Sequence, residues 1–402
     1  MKKKVLFVIN TMGRAGAERC LLHLLHAWKE EEYELSLFSV LEQGELFNEV
    51  PSHVRILNKA PKAASVLDEK ARKSLGKQII KGMIRKKIFF SSLPAMLKLF
   101  IWQVKNKKTD IKKLCWKPAS DIAPVIDEEF DLAVGYLQGA ATYYVMDHVN
   151  ARKKAVFLHN DYKASGYCPV SDQLYYEKAD KIYCVSGYIA QGLKKIFPFC
   201  KEKTEVFYNF TDEAWIKEKA RQGKAVEMES EKGGEEDTGA LKLLTAARLE
   251  PVKAIDIAIH AMALMKQRGM NVKWYVLGDG SLRRHLEKEI KMRDVGDCFF
   301  LLGQRENPYP YMAACDIYVQ ETRFEGFCTA ITEAVVLGKK VVASDCAGNR
   351  EQLSFYGTGV LTRLTPEAIA EGIEKAWKEE MSKADITSRQ TQELFRLKEE
   401  LR

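Results

Sequence analysis

Short apolar runs alternate with stretches of helical periodicity in two separate parts of this chain. In the first part, residues 5–9 and 34–40 have the composition of buried strands, and residues 17–28 between them place apolar side chains at helical spacing. Further short apolar runs lie at 132–136, 155–158 and 181–185. Because strands that alternate with helices pair in parallel beneath a helical cover, the pattern predicts an α/β fold with a parallel sheet.

The same alternation restarts after a charged segment. Residues 217–239 are dense in Lys, Glu and Gly and nearly lack large apolar residues, so we expect a mobile, solvated loop near a domain boundary. Predicted strands then lie at 241–247, 272–277, 299–302, 317–320 and 340–344, and predicted helices at 255–267, 282–293, 308–314, 329–337 and 366–377. Two such lobes predict a ligand held between them, outside the carboxyl ends of the strands.

These two runs of alternation define the expected domains. The first domain spans 1–212 and carries a basic amphipathic insertion at about 59–120. A charged loop over 213–240 leads to the second domain, 241–385. Residues 386–402 are expected to form a last helix that can pack back on the first domain.

The cysteines and the N-terminus bear on the cellular compartment. The 402-residue chain has nine scattered cysteines, an odd number without a Cys-x-x-Cys pair. This usage indicates reduced thiols rather than a disulfide framework. Met1 and three lysines lead directly into the apolar run at 5–9, which is too short for a signal sequence or a membrane anchor. We therefore expect a cytoplasmic protein.

Two glycines, Gly13 and Gly16, lie between the first predicted strand and the first predicted helix. Glycines at such a place let backbone amides approach an anion, and the helix N-terminus adds partial positive charge. An ordinary strand–helix turn explains them equally well. They do not form the Gly-x-Gly-x-x-Gly dinucleotide fingerprint, because only two glycines are present.

Two cations, Arg248 and Lys253, follow the first predicted strand of the second lobe. Five residues apart across a turn, they can present a guanidinium and an ammonium group to a departing diphosphate. Two solvated surface charges are the alternative, which their place at the carboxyl end of a strand disfavours. Gly278 and Gly280 form a tight turn with Asp279 after the next strand, on the same expected edge of the sheet.

Two glutamates with seven residues between them provide the sharpest signal. Glu325 precedes the helix predicted over 329–337, and Glu333 lies within it. The amides of Gly326 and Phe327, at the expected start of this helix, are suited to binding phosphate. Glu333 would then accept hydrogen bonds from vicinal ribose hydroxyls, and Glu325 would contact a sugar. A helix with two surface acids is the alternative.

The order and spacing of the motifs over about 241–352 resemble glycosyltransferase family 4. The resemblance rests on Arg248-Leu249…Lys253, Gly278-Asp279-Gly280, Leu302-Gly303-Gln304, Ala314-Cys315-Asp316-Ile317-Tyr318-Val319, the pair Glu325 and Glu333, Ala334…Gly338…Val341-Val342-Ala343-Ser344-Asp345, and Gly348-Asn349-Arg350-Glu351. The chain departs from the family where Ala254 replaces the glycine that follows the lysine. The resemblance implies a GT-B architecture, with two Rossmann-like parallel-sheet lobes facing each other across a cleft.

The resemblance continues less densely in the first lobe. Residues 13–19 are similar to the family's Gly-Gly-x-Glu-Arg region, and residues 157–161 to a His-x-Asp element of capsule and cell-wall members. Residues 184–186 and 208–212 match two further elements of the family. The resemblance thus implies that one histidine contacts a sugar and that three polar residues line the acceptor side. These residues are His159 for the sugar and Glu18, Asp161 and Asn209 for the acceptor.

The activity implied by the resemblance is that of a retaining, metal-independent hexosyltransferase of surface polysaccharide synthesis, without a cofactor. The donor is a nucleotide diphosphate sugar, expected to be UDP-linked, and the acceptor a glycan or lipid-linked saccharide. The second domain would bind the donor and the first the acceptor. The implied catalytic residues are Glu325, Arg248, Lys253 and His159. The implied donor-binding residues are Gly13, Gly16, Gly278, Gly280, Gln304, Gly326, Phe327, Cys328, Thr329 and Glu333.

Two other functions fit part of this pattern. A sugar-nucleotide epimerase of GT-B architecture uses a similar donor pocket, and product analysis separates it from a transferase. A catalytically silent scaffold that binds a nucleotide or a partner transferase is the second alternative. It is disfavoured because Arg248, Lys253, Glu325 and Glu333 are all present. A phosphorylase would require a pyridoxal-binding lysine site, which nothing in the sequence suggests.

Positive charge is concentrated in residues 59–117, which contain 17 Lys and Arg but three Asp and Glu. Within this segment one helical stripe is apolar and cations flank it. The stripe consists of Leu93, Met96, Leu97, Phe100, Ile101 and Val104. Through residues 85–108 the helix can lie in an anionic membrane surface, at the inner face, or its stripe can pack on the first lobe. Nucleic acid is disfavoured, because no recognition motif accompanies the charge.

Overall fold

The chain divides into two compact units. The computed structural model describes residues 2–29, 32–59, 62, 69–106, 110–229, 239–380 and 387–400. Unit 1 consists of Met1–Phe210 and Gln390–Arg402, and unit 2 of Thr211–Arg389.

Unit 1 is built on a parallel sheet. Its described residues form seven strands in the order β3-β2-β1-β4-β5-β6-β7. The strands are β1 (Lys3–Ile9), β2 (Tyr33–Ser39), β3 (Arg55–Ile56), β4 (Glu129–Gly135), β5 (Asn150–Leu158), β6 (Lys181–Cys184) and β7 (Thr204–Val206). Strand β1 is central, and its apolar run from Val5 to Ile9 is fully buried. An unbroken apolar strand of this kind is typical of a parallel sheet covered on both faces.

Helices follow most of these strands. The helices of unit 1 that precede unit 2 are α1 (Gly16–Ala27), α2 (Glu69–Arg85), α3 (Phe89–Lys105), α4 (Ile111–Leu114), α5 (Trp116–Ile122), α6 (Ala140–His148), α7 (Pro169–Lys178) and α8 (Gly187–Ile196). Edge-to-face contacts of Phe7 with Trp28 and Tyr136 join β1 to the end of α1 and to the segment after β4. No helix in the described part of the chain is long and apolar enough to cross a membrane.

Unit 2 has its own parallel sheet. Its described residues form six strands in the order β10-β9-β8-β11-β12-β13. The strands are β8 (Leu241–Ala246), β9 (Val272–Leu277), β10 (Phe299–Gly303), β11 (Ile317–Gln320), β12 (Lys340–Ser344) and β13 (Val360–Thr362). The helices are α9 (Glu213–Arg221), α10 (Val226–Glu229), α11 (Ile255–Gln267), α12 (Arg283–Met292), α13 (Tyr309–Ala314), α14 (Thr329–Val336), α15 (Ala347–Tyr356) and α16 (Pro366–Lys378). One apolar core joins α11 and α16 to β8, β9 and β11.

The last helix, α17 (Thr387–Glu399), packs on unit 1. The Arg396 guanidinium donates to the carbonyl of Val206 at 2.8 Å and to the carboxylate of Glu205 at 2.9 Å. Leu397 on the same helix is fully buried. The hydrogen bonds of Arg396 to β7 and the burial of Leu397 therefore attach the C-terminal helix to the edge of the sheet.

Two parallel-sheet lobes were predicted from the sequence, and this fold class is confirmed. The predicted loop over 213–240 is wrong for residues 213–221 and 226–229, which form α9 and α10. Asp212 caps α9, Ile216 is fully buried, and Trp215 meets Tyr309 at 5.7 Å between ring centroids. Two apolar side chains and a 2.7 Å hydrogen bond from the Asn307 side chain to the carbonyl of Lys219 thus hold an otherwise charged helix on unit 2. Residues 230–238 of the predicted loop lie outside the described residues.

Candidate functional site

The candidate site of unit 2 lies where the order of its strands reverses. The chain runs outward from β8 through β9 to β10, and outward on the other side from β11 through β12 to β13. Loops that leave β8 and β11 therefore diverge at the carboxyl edge of the sheet, which is the usual place for a ligand in this architecture. The loop after β8 carries Arg248 and Lys253, and the loop after β11 carries Glu325.

Lys253 and Glu325 form an ion pair across this switch point. Their side chains are 16% and 18% exposed. Burial and the nearby Arg248 lower the pKa of Lys253, but Glu325 outweighs both and raises it above the usual value. The ammonium group therefore stays charged at neutral pH, with the exposed Arg248 beside it. Two cations and one carboxylate therefore lie on the two loops at this switch point.

The two loops that carry this pair are bonded to each other. The amide of Arg323 donates to the carbonyl of Val252 at 2.8 Å, and the hydroxyl of Thr322 donates to the same oxygen at 3.0 Å. The Arg323 guanidinium also pairs with Asp256 at 2.8 Å. These bonds fix the residue before Lys253 relative to the loop of Glu325, so the ion pair is preorganised by backbone contacts.

Ala254 shapes the turn that presents Lys253. It is fully buried and adopts the left-handed conformation, with φ 49° and ψ 31°, between the 3-10 turn Pro251–Lys253 and helix α11. A side chain in this region costs about 1 kcal/mol relative to glycine. The family that the chain resembles has glycine at this position. Ala254 adopts the same left-handed turn, and its backbone is strained because it carries a Cβ atom.

Gly278 and Gly280 support the backbone around Arg248. A Cβ on Gly278, whose φ is +136°, would lie 1.9 Å from the carbonyl oxygen of Ala247. A Cβ on Gly280 would lie 2.5 Å from the carbonyl oxygen of Leu249. The turn after β9 therefore needs glycine because it lies directly against the loop after β8. Both glycines have a structural reason that is independent of ligand contact.

Helix α14 begins at the residue that the sequence pattern predicts, two residues after Phe327. It starts at Thr329, with Cys328 as its N-cap, so the prediction that Gly326 and Phe327 supply helical amides is wrong. The amide of Cys328 donates to the Gln352 side chain at 2.8 Å. The first-turn amides of α14 are those of Thr329 and the two residues after it.

Phe327 and Cys328 are buried beside this helix start. The Phe327 ring contacts Phe355 and Tyr356, each at 6.3 Å between centroids. Burial raises the pKa of the Cys328 thiol to about 12, and the thiol donates to the Gln320 side chain at 3.2 Å. Both side chains therefore serve the core of unit 2, and their predicted role in donor binding could involve only their backbone.

The remaining predicted donor residues lie on other elements. Glu333 is buried on α14 and accepts a hydrogen bond from the Tyr309 hydroxyl at 3.1 Å. Gln304 is exposed and follows β10, the edge strand, two strands away from β8. The structure thus brings Arg248, Lys253 and Glu325 together and places Gln304 outside that group. Among the residues that the structure describes, no cluster of three or more His, Cys, Asp and Glu could hold a metal ion.

In unit 1 the order of the strands reverses between β1 and β4. Gly13 lies buried in the loop after β1, and Gly16 is the first residue of α1. The hydroxyl of Thr11 donates to the carboxylate of Glu18 at 3.2 Å, which ties this loop to the first turn of α1. Both glycines therefore lie in the strand–helix turn at the carboxyl edge of the sheet, and their contact with phosphate stays a prediction.

His159, which follows β5, lies close to Asn209, which follows β7. Burial lowers the pKa of His159 to about 4, against the raising effect of the Tyr136 carbonyl and the Asn209 side chain. The imidazole is consequently neutral at pH 7 and lies against the Tyr136 ring, with 5.1 Å between centroids. Asp161 caps its own turn by accepting from the amide of Ala164.

Sequence reasoning missed two polar residues that join these loops. The Asn10 side chain donates to the carbonyl of Gln138 at 3.0 Å and accepts from the amide of Ala141 at 2.7 Å. The Gln138 side chain accepts from the amide of His159 at 3.1 Å. Asn10 and Gln138 thereby connect the loops after β1, β4 and β5. The available signal was their position, since both follow strands at the edge where ligands bind.

Comparison with known proteins finds a family model that matches most of unit 2. Residues 227–393 match the family model described as Glycosyl transferases group 1. The match covers 167 of the 402 residues, so it shows a likeness of this part of the chain to that family. The loops after β8 and β11, which carry the ion pair described above, lie within the matched range.

Curated relatives match the chain over part of its length. An N-acetylgalactosaminyltransferase from Campylobacter jejuni, named for a diphospho-undecaprenol substrate, is 30% identical over 195 residues, 48% of this chain and 49% of that protein. The amylovoran biosynthesis glycosyltransferase AmsK of Erwinia amylovora is 30% identical over 141 residues, 33% of this chain and 34% of that protein. The matched stretch therefore spans about half of the first relative and a third of the second.

Solved structures match both units of the chain. HepE from Anabaena, solved with UDP and glucose, gives a TM-score of 0.58 at 16% identity and covers 99% of this chain and 100% of that chain. An Escherichia coli protein, described as trehalose-6-phosphate bound with UDP-2-fluoro glucose, gives a TM-score of 0.61 at 14% identity. The match covers 98% of this chain and 96% of that chain. At such identities the likeness shows the fold, and the predicted GT-B class is confirmed.

Proposed function

We propose that this chain is a retaining glycosyltransferase that moves a sugar from a nucleoside diphosphate to an acceptor. The observation that carries the proposal is the Lys253–Glu325 ion pair, with Arg248 beside it, at the switch point of a group 1 glycosyl transferase domain. A diphosphate is the ligand that two fixed cations at a strand edge suit best.

The reaction proposed for this site needs no base from the protein. The bond between the anomeric carbon and the diphosphate oxygen breaks, and an acceptor oxygen bonds to that carbon on the same face. The hydroxyl proton of the acceptor passes to the departing phosphate oxygen. Lys253 and Arg248 would neutralise the charge that develops on the diphosphate, which takes the place of a metal ion. Glu325 would orient Lys253 and bind a hydroxyl of the sugar.

We propose UDP as the nucleotide of the donor. Support comes from HepE and the Escherichia coli structure, which share the fold and were solved with UDP or a UDP sugar. The predicted role of Glu333 toward the ribose fits less directly, because its carboxylate already accepts a hydrogen bond from Tyr309. A ribose would then have to bind beside that contact or replace it.

We propose a lipid-linked saccharide as the acceptor. The name of the Campylobacter relative specifies a saccharide on diphospho-undecaprenol. The chain would then work without a cofactor at the inner face of the membrane, in surface polysaccharide synthesis, and bind that membrane through residues 85–108. The predicted contacts of His159, Glu18, Asp161 and Asn209 with sugar or acceptor belong to the same proposal.

Product analysis tests the proposed activity. The full chain is incubated with a panel of UDP sugars and a polyprenyl-diphosphate-linked disaccharide, with and without EDTA, and the products are separated and examined by NMR. A new glycosidic bond with the anomeric configuration of the donor, formed equally with EDTA, is expected. An epimerised nucleotide sugar without a new bond, or inversion at the anomeric carbon, would overturn the proposal.

A further inference from the structure

Helices α2 and α3, which follow each other in the chain, both expose large apolar side chains. We call these side chains together the apolar face. It consists of Ile80, Ile84, Phe90, Leu93, Leu97, Phe100, Ile101 and Val104. Each of these side chains is between 43% and 82% exposed. Soluble surfaces seldom place so many large apolar side chains along neighbouring helices, so the face is expected to have a partner.

The opposite sides of both helices attach them to unit 1. Ile79 and Met83 of α2 are buried, and Gly82 lies so close to Ile122 of α5 that an added Cβ would be 2.9 Å from it. Gln103 of α3 is buried and exchanges hydrogen bonds with the backbone of Asp110 at 3.0 and 3.2 Å. These contacts anchor both helices through residues outside the apolar face.

The sequence left open whether the stripe of α3 packs on the first lobe. Met96 is partly buried, but the other five side chains of that stripe belong to the exposed apolar face. In the described residues the stripe is thus not covered by unit 1. Ile80, Ile84 and Phe90, which the sequence analysis did not include, extend it onto α2 and the start of α3.

Charge around the apolar face has one sign. Residues 70–109 contain twelve Lys and Arg and no Asp or Glu. Exposed cations rim the face on both helices, among them Lys81, Arg85, Lys98 and Lys105. A second copy of this chain would bring the same cations together, and like charges repel. Phosphate groups of anionic lipids instead complement the rim while acyl chains receive the apolar side chains.

We propose that the apolar face of α2 and α3 inserts into the surface of an anionic membrane. This inference deepens the proposed function, because it assigns the membrane contact to named side chains on two helices. Leu97, Phe100 and Ile101 lie at the acyl boundary, and Lys98 and Lys105 bind lipid phosphates. The helices lie along the surface, so the contact is reversible and depends on salt.

Vesicle flotation of the full chain tests this proposal. Vesicles of phosphatidylcholine alone and with phosphatidylglycerol are used at low and physiological salt. Binding to the anionic vesicles and about tenfold weaker binding at higher salt are expected. The double variant Leu97→Glu/Ile101→Glu should lose flotation, while Met292→Glu/Trp377→Glu, which alters exposed apolar residues of unit 2, should float like the wild type.

A second variant removes charge without changing the apolar face. Arg85→Gln/Lys98→Gln/Lys105→Gln should bind anionic vesicles about a hundredfold more weakly, since each cation near such a surface contributes about 1 kcal/mol. Thermal unfolding midpoints show that the variants fold. Turnover of a UDP sugar on a water-soluble acceptor analogue, measured in parallel, reports on the proposed function independently of membrane binding.

Three results would overturn the inference. The first is wild-type protein that floats with neither kind of vesicle. The second is a Leu97→Glu/Ile101→Glu variant that floats like the wild type. The third is a wild-type dimer in light scattering that this variant dissociates, without flotation, since the apolar face would then bind a second copy.

Discussion

Lys253 and Glu325 are the residues whose pairing most directly links this structure to chemistry. Each is largely buried, and Lys253 remains charged because Glu325 raises its pKa. Replacing Lys253 by Ala would leave the largely buried carboxylate without its cation and the diphosphate without one of its two neutralising charges. We expect turnover to fall at least about a hundredfold and the free energy of unfolding of unit 2 to fall by about 2 kcal/mol.

Steady-state kinetics and urea unfolding of the variant measure both effects. Lys266→Ala is the matched control, because Lys266 pairs with Asp297 at 2.9 Å on the exposed surface of the same unit. The double variant Lys253→Ala/Glu325→Gln should regain most of the lost stability and none of the lost turnover. Equal turnover in wild type and Lys253→Ala would remove this lysine from the site.

Glu321 is a second buried acid of unit 2, and its protonation should affect stability. Burial raises the pKa of Glu321 to about 8. The hydroxyl of Thr245 donates to the carbonyl of Val319 at 2.7 Å and accepts from the Trp274 indole at 3.1 Å. Its 3.3 Å contact with Glu321 is therefore best made when the carboxyl group is protonated and donates.

The stability of unit 2 should therefore fall as pH rises between about 4.5 and 8. In that range the unfolded chain loses the Glu321 proton while the folded chain keeps it, so deprotonation favours unfolding. Glu321→Gln retains a donor and removes the titration, and it should be stabilising by about 2–4 kcal/mol more at pH 8.5 than at pH 5. Urea unfolding at both pH values measures this, with exposed Glu371→Gln as control. Parallel pH dependences of Glu321→Gln and wild type would contradict the assignment.

At the scale of elements, close backbone contacts position the ligand loops. A Cβ on Gly348, at the start of α15, would lie 2.3 Å from the carbonyl oxygen of Glu325. Gly348→Ala should therefore displace the loop after β11 and weaken binding of UDP about tenfold, since a misplacement of 1 Å can cost more than that. Gly296→Ala, whose nearest neighbour would be 3.9 Å away, is the control. Calorimetric titration with UDP measures both, and unchanged affinity in Gly348→Ala would show that this contact does not position the site.

The long elements could be predicted from the sequence because their patterns are local. The buried run of β1, the helical periodicity of α11 and the alternation around them identified two parallel sheets. Strands β3, β7 and β13 have two or three residues each, and pairing with a neighbouring strand, rather than any pattern, makes them strands. Helix α9 was missed because its sequence is mostly charged, and the few apolar side chains that pack it on unit 2 give no visible periodicity.

The candidate site was predictable in its residue types but not in its contacts. Arg248, Lys253 and Glu325 were identified because cations and acids follow predicted strands. The ion pair of Lys253 and Glu325 joins residues 72 positions apart, and it depends on β8 lying beside β11. The strand order that creates this neighbourhood is a property of the whole sheet. The bonds of Asn10 and Gln138 were missed for the same reason.

At the scale of the whole molecule, the chain returns to unit 1 after completing unit 2. The C-terminal helix α17 bonds to β7 through Arg396 and buries Leu397. Leu397→Ala should reduce the stability of unit 1 by about 2–4 kcal/mol, because it removes a fully buried side chain. Exposed Phe395→Ala on the same helix is the control.

Hydrogen exchange distinguishes the two units in this experiment. In Leu397→Ala the amides of β6 and β7 should exchange faster, while those of β8 and β9 should be unchanged. Equal acceleration in β8 and β9 would show that α17 stabilises the chain as a whole rather than unit 1.

Binding of UDP tests most directly whether the switch point of unit 2 is a nucleoside diphosphate site. Isothermal titration of the full chain should show one saturable site for UDP, and the double variant Arg248→Ala/Lys253→Ala should bind at least about 30-fold more weakly, a loss of about 2 kcal/mol. The exposed variant Lys288→Ala should bind like the wild type. Equal UDP affinity in the wild type and the double variant, or no binding by either, would contradict the account.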